Sequence, residues 1–133
     1  MGGNSKGEQQ MTKNEFYEKW LLAFAGNIPK SDIKTYVAST GNYIWHVFSW
    51  GLLDAHQYLV GDEAKDAYDN IDKRGALYIE WLKDNHTKDI TWNLNTAASL
   101  DGFVEVYVVA KDFSWTYIKT HEGMCGPYFL KLK

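Results

Sequence analysis

Residues 103–132 most narrow the folds open to this chain, because three strand-like runs follow one another there with only turn-sized gaps between them. Val104, Val106 and Val108 alternate with Glu105, Tyr107 and Val109, a period-two run of the β-branched and aromatic residues that suit a pleated surface. Residues 110–113 are short enough for a hairpin, although no Asn-Gly or Asp-Gly pair marks the turn. Residues 114–120 alternate again, with Trp115, Tyr117 and Lys119 on one side and Thr116, Ile118 and Thr120 on the other. His121 and Glu122 end that run, Gly123, Gly126 and Pro127 interrupt the chain, and residues 128–132 return as a third strand. This pattern predicts an antiparallel three-stranded meander at the C-terminal end.

A meander needs a layer to cover it, and two stretches upstream have the spacing of amphipathic helices. Thr12 and Glu15 form a capping box. Phe16, Tyr17, Trp20, Leu21 and Phe24 then recur at three- and four-residue intervals before Gly26, the stripe of a helix laid on a core. Ala64, Ala67, Tyr68 and Ile71 repeat the pattern after Gly61 and Asp62, and residues 32–38 predict a shorter helix ended by Gly41. Residues 43–50 are apolar in both alternating phases and predict a covered strand carrying His46 between Ile44 and Phe48. Residues 76–82 predict a further strand and residues 90–94 a short one, while residues 52–60 read as a connection.

Together these elements predict an α+β fold, with a mostly antiparallel sheet and two to three helices packed on it. Residues 1–11 are polar and Gly-rich and predict a disordered lead-in, leaving residues 12–133 as a single domain. The net charge of −3, without a Lys/Arg cluster, argues against a nucleic-acid partner, whose phosphates demand a basic surface. No apolar run reaches the length of a membrane span and no signal-peptide pattern opens the chain. The expected location is the cytoplasm.

The polar residues of the aromatic segments are the candidates for chemistry. No P-loop, dinucleotide fingerprint, nucleophile elbow or HExxH helix occurs. His121, Glu122 and Cys125 are ligand types, but three groups fall short of a closed structural zinc site, so no metal and no cofactor are expected. His46, Trp50, Asp112, Trp115, His121 and Glu122 stand as candidate binding residues. His121 is expected to approach the 43–50 segment, on the same sheet as His46, because an imidazole among Trp and Tyr rings needs a fixed polar partner.

Residues 43–50 (YIWHVFSW), with Gly61, Glu63 and Ala64, and then Asp112-Phe113-Ser114-Trp115-Thr116-Tyr117, Thr120-His121-Glu122 and Gly126-Pro127-Tyr128-Phe129, resemble the motifs of a family of small bacterial proteins of unknown function. The resemblance runs over about residues 12–131. It implies a bacterial cytoplasmic α+β domain and carries no catalytic residues with it. The stretch 84–102 departs from the family's pattern.

With 16% aromatic residues, 6 Trp and 9 Tyr among them, and no catalytic motif, the chain is expected to bind a partner protein, as an immunity or accessory protein that masks another does. The competing expectation is a small-molecule or hydrolytic site around His46, His121 and Glu122. A deep pocket joining those residues would favour the second, and an exposed flat aromatic patch the first.

Overall fold

A computed structural model describes residues 10–132, so the lead-in expected over residues 1–11 lies outside the described residues except at Gln10 and Met11. Met11 donates its N–H to Thr87 Oγ1 (3.0 Å) and accepts the Thr87 N–H (2.9 Å). Helix α1, Lys13–Phe24, follows Thr12, whose hydroxyl accepts the Glu15 N–H at 3.1 Å while Glu15 Oε1 accepts the Thr12 N–H at 2.9 Å. That reciprocal cap satisfies two donors that the first helical turn leaves unpaired. Helix α2, Lys30–Tyr36, runs into a 3₁₀ turn at Ala38–Thr40 and stops at Gly41.

The segment 43–50 is not a strand. It forms a turn and then a four-residue helix, α3, His46–Ser49. Its buried residues, Ile44, Trp45, Val47 and Phe48, stand at i, i+1, i+3 and i+4, which is one face of a helix as readily as both faces of a strand. A short run apolar in every phase fits either period, and here tertiary packing decides for the helix. The sheet gains instead an edge strand, β1, Tyr58–Val60, from the stretch that reads as a connection. Helix α4, Asp62–Asn70, and strands β2, Leu77–Glu80, and β3, Lys88–Asp89, follow. The strand expected over residues 90–94 is displaced to β3, and Trp92–Leu94 is a 3₁₀ turn. The meander forms as β4, Val106–Val109, β5, Trp115–Lys119, and β6, Tyr128–Lys131.

The six strands make one antiparallel sheet in the order β1-β6-β5-β4-β2-β3. Helices packed on both faces of this sheet make the whole α+β. One face carries Leu77, Ile79, Tyr107, Val109, Ile118, Tyr128 and Leu130 against Phe16, Trp20 and Phe24 of α1 and Val47 and Phe48 of α3. Phe16 stacks on Tyr107 (6.3 Å between centroids), Phe48 stacks on Tyr128 (4.5 Å), and Trp20 Nε1 donates to Thr116 Oγ1 at 2.9 Å. The other face buries Val106, Val108, Trp115, Tyr117 and Phe129 under Ala64 and Tyr68 of α4, with Leu94, Ala97 and Leu100 from the turns beyond β3. Both faces being covered explains why all four residues of β4 are buried. The β4–β5 turn, lacking an Asn-Gly pair, places Phe113 at φ 57°. The ring's contacts with Phe16 (6.1 Å) and Phe24 (6.4 Å) hold it there, against a backbone preference that disfavours a bulky residue in that region.

Candidate functional site

The site begins with one carboxylate. Glu105 lies just before β4 on the α1 side of the sheet, two residues from Tyr107, and its side chain is fully buried (0% exposed). A buried carboxylate is costly unless its oxygens are filled. Here Oε1 accepts from Trp45 Nε1 (3.1 Å), from the His121 N–H (3.3 Å) and from His121 Nδ1 (2.5 Å), while Oε2 accepts the Tyr107 hydroxyl. Burial pushes the Tyr107 phenol well above its ordinary pKa, with the Glu105 charge adding to the effect. Its proton therefore stays on oxygen and donates. The carboxylate ties β4 to the turn after β5 and to the segment leading into α3, three pieces distant in sequence.

That segment carries the aromatic part of the site. Gly41, at φ 105°, and Asn42, at φ 62°, turn the chain after α2. A Cβ on Gly41 would sit 2.9 Å from the Tyr43 ring, so glycine there lets that ring lie against the turn. Trp45 is buried and meets His46 edge-on at 4.3 Å and His121 at 5.7 Å. Tyr43 covers the same two imidazoles at 5.8 Å and 5.0 Å. His46 Nδ1 lies 3.1 Å from the Tyr36 carbonyl and 2.7 Å from Thr40 Oγ1. Acceptors at both Nδ1 atoms, a carbonyl for His46 and a carboxylate for His121, place the proton on Nδ1 and turn each Nε2 outward. His121 Nε2 is 3.5 Å from Glu122 Oε2. Trp50, 57% exposed, packs on Tyr36 at 5.4 Å.

The structure thus brings His46 and His121 together, along with Glu122 and, one helical turn on, Trp50. His121 does approach the 43–50 segment, but the shared sheet was a wrong expectation, because His46 sits on α3. Asp112 and Trp115 lie elsewhere. Asp112 is exposed in the β4–β5 turn, where hydrogen bonds from Ser114 hold its carboxyl below the usual range. Trp115 is buried on the opposite face between Tyr68 (6.0 Å) and Phe129 (5.8 Å). Sequence reasoning missed Glu105, Tyr36, Tyr43 and Trp45. The signal for Glu105 was present, a lone carboxylate inside the run Val104–Tyr107–Val109.

Chemically, a carboxylate-oriented imidazole is half of a general-base arrangement. Among the described residues, however, no hydroxyl or thiol hydrogen-bonds to either Nε2, and no group of three His, Cys, Asp or Glu side chains is placed to hold a metal ion. One cleft of about 420 Å³ runs between α1 and α2, lined by Leu21, Leu22, Ile28 and Ile33, and one of about 130 Å³ is lined by Glu122 with Lys65, Lys119 and Cys125. Neither of these clefts is lined by His46 or His121. No helix among the described residues is long and apolar enough to cross a membrane.

Burial lowers the His46 pKa below 6.5, reinforced by His121 and partly opposed by the Tyr36 carbonyl and the Glu105 charge. The folded state therefore binds the proton less tightly than the unfolded chain does, so His46 contributes stability above about pH 6.5 that is lost as pH falls through its folded midpoint. A proton NMR titration is expected to give His46 a midpoint below 6.5. A midpoint above that value would contradict the neutral, Nδ1-protonated state.

The sequence matches the family described as a domain of unknown function, DUF4275, over residues 6–129. That span takes in both helical stripes and most of the meander, so the chain belongs to this family, in agreement with the resemblance carried by its motifs. No curated protein and no solved structure matches the chain.

Proposed function

We propose that this member of the family is a partner-binding protein of the accessory or immunity type, acting in the bacterial cytoplasm. Its contact surface is the aromatic strip formed by Trp50, Tyr36, His46, Tyr43, His121 and Glu122. The observation that carries this reading is the exposed Trp50 ring packed on Tyr36, whose main-chain carbonyl meets His46 Nδ1, with Tyr43 bridging the two imidazoles. Trp, Tyr and imidazole groups held rigidly at a surface supply contact area at little entropic cost, and such residues dominate binding energy where they cluster. Trp92 is still more exposed, at 85%, but it meets no other ring among the described residues, and a lone exposed apolar side chain is ordinary.

The second reading, a small-molecule or hydrolytic site around His46, His121 and Glu122, draws on the Glu105-oriented imidazole of His121. Against it stands the lack, among the described residues, of a hydroxyl or thiol bonded to either Nε2.

Purification of the tagged chain from cells that naturally make it, with Trp50→Ala and Trp92→Ala alongside, tests the first reading. Trp50→Ala is expected to weaken partner capture by about thirtyfold, the effect of losing about 2 kcal/mol at a binding hot spot. Its melting temperature should barely move, as for most surface substitutions. Trp92→Ala should retain the partner. Equal capture by both variants would contradict the strip as the contact surface.

A further inference from the structure

We infer that the group seated on this strip is a guanidinium, presented by an arginine on a basic face of the partner protein; the inference rests on the binding role of the strip. Three features converge on a cation. Of the six strip residues, Glu122 alone carries a formal charge of its own, with its carboxylate 59% exposed and 3.5 Å from His121 Nε2. Any positive charge taken by His121 is matched by the Glu105 carboxylate against its Nδ1. Among the described residues, no Lys or Arg lies over the rings of Trp50, Tyr36 or Tyr43. The two cation–ring contacts among the described residues, Lys13 over Trp81 and Lys73 over Tyr68, lie elsewhere.

An aromatic face beside a carboxylate draws a cation through the ring quadrupole and the charge together. A planar guanidinium can stack on a Trp or Tyr ring and still donate two hydrogen bonds to a carboxylate, which an ammonium on its flexible stem cannot do in one geometry. The net charge of −3 complements a basic partner over longer range and would speed its approach.

The test uses four short peptides of matched length, acetylated and amidated at their ends, whose two variable positions are both arginine, both lysine, both norleucine or both glutamate. Each is titrated into the full chain and followed by amide and indole NMR resonances. The arginine peptide is expected to shift the Trp50 indole and the His121 amide saturably, and to bind about fivefold more tightly than the norleucine peptide. Trp50→Ala and Glu122→Gln, both at exposed positions where the fold tolerates substitution, should each weaken it by about two- to fivefold, while Trp92→Ala should not. Lysine, norleucine or glutamate peptides binding as tightly as arginine would overturn the inference. So would arginine-induced shifts centred on the acidic residues of α4, or the absence of any shift. If partner capture still depends on Trp50 in that event, the binding role stands and the guanidinium alone falls; if capture is indifferent to Trp50, the binding role itself has failed.

Discussion

Glu105→Leu is expected to destabilise the protein by about 3 to 5 kcal/mol, the range for removing one partner from a buried charged network. The direction follows from what the substitution leaves behind. Leucine is close in volume and apolar, so burying it is favourable. Yet Trp45 Nε1 and the Tyr107 hydroxyl lose their acceptor in a buried site, and the His121 N–H and Nδ1 lose theirs in a part-buried one. Each orphaned donor costs about 1 to 3 kcal/mol, which outweighs the gain. In a chain of this size the loss should lower the melting temperature by roughly 10 to 20 °C. Glu105→Gln, which keeps one acceptor oxygen, should cost less than Leu. A loss below about 1 kcal/mol in the leucine variant would mean that the carboxylate does not hold the strip together.

Trp20→Ala should cost a comparable amount, about 3 to 5 kcal/mol, for a different reason. The indole is fully buried between Phe24 (5.0 Å) and Phe48 (6.1 Å), where α1 meets both the sheet and α3. Its removal leaves a cavity that two helices and a sheet cannot all close on. Trp20→Phe separates the two contributions. It keeps most of the packing and gives up the hydrogen bond to Thr116 Oγ1, so it should lose only about 1 to 2 kcal/mol. Urea unfolding followed by near-ultraviolet circular dichroism reads both variants. Equal losses for Ala and Phe would show that the hydrogen bond, and not the volume, dominates there.

The legible parts of this protein were those where local pattern and tertiary context agree. The Thr12–Glu15 cap and the Phe16–Trp20–Phe24 stripe define α1 without help from elsewhere, and the period-two runs at Val106 and Trp115 define neighbouring strands. Residues 43–50 were illegible because an octapeptide apolar in both alternating phases satisfies helix and strand periods alike, and only tertiary packing settles the matter. The candidate site was half legible. His46 and His121 stand out as imidazoles among aromatic residues, and their approach follows from the need for a polar partner. The partner itself, Glu105, is 16 residues from His121 and 60 from Trp45, and no local pattern links such positions. Trp115 and Asp112 share the motif-rich stretch with His121, yet strand alternation sends Trp115 to the far face and the turn sends Asp112 into solvent.

The central claim is that the Trp50 strip is a contact surface, and it is tested most directly by a photo-activated cross-linking residue placed at position 50 and, separately, at position 92, in cells that naturally make the chain. The account predicts one dominant cross-linked protein from position 50, absent from position 92 and reduced when Glu122→Gln is added. The same cross-linked protein from both positions in equal yield, or none from position 50, would contradict it.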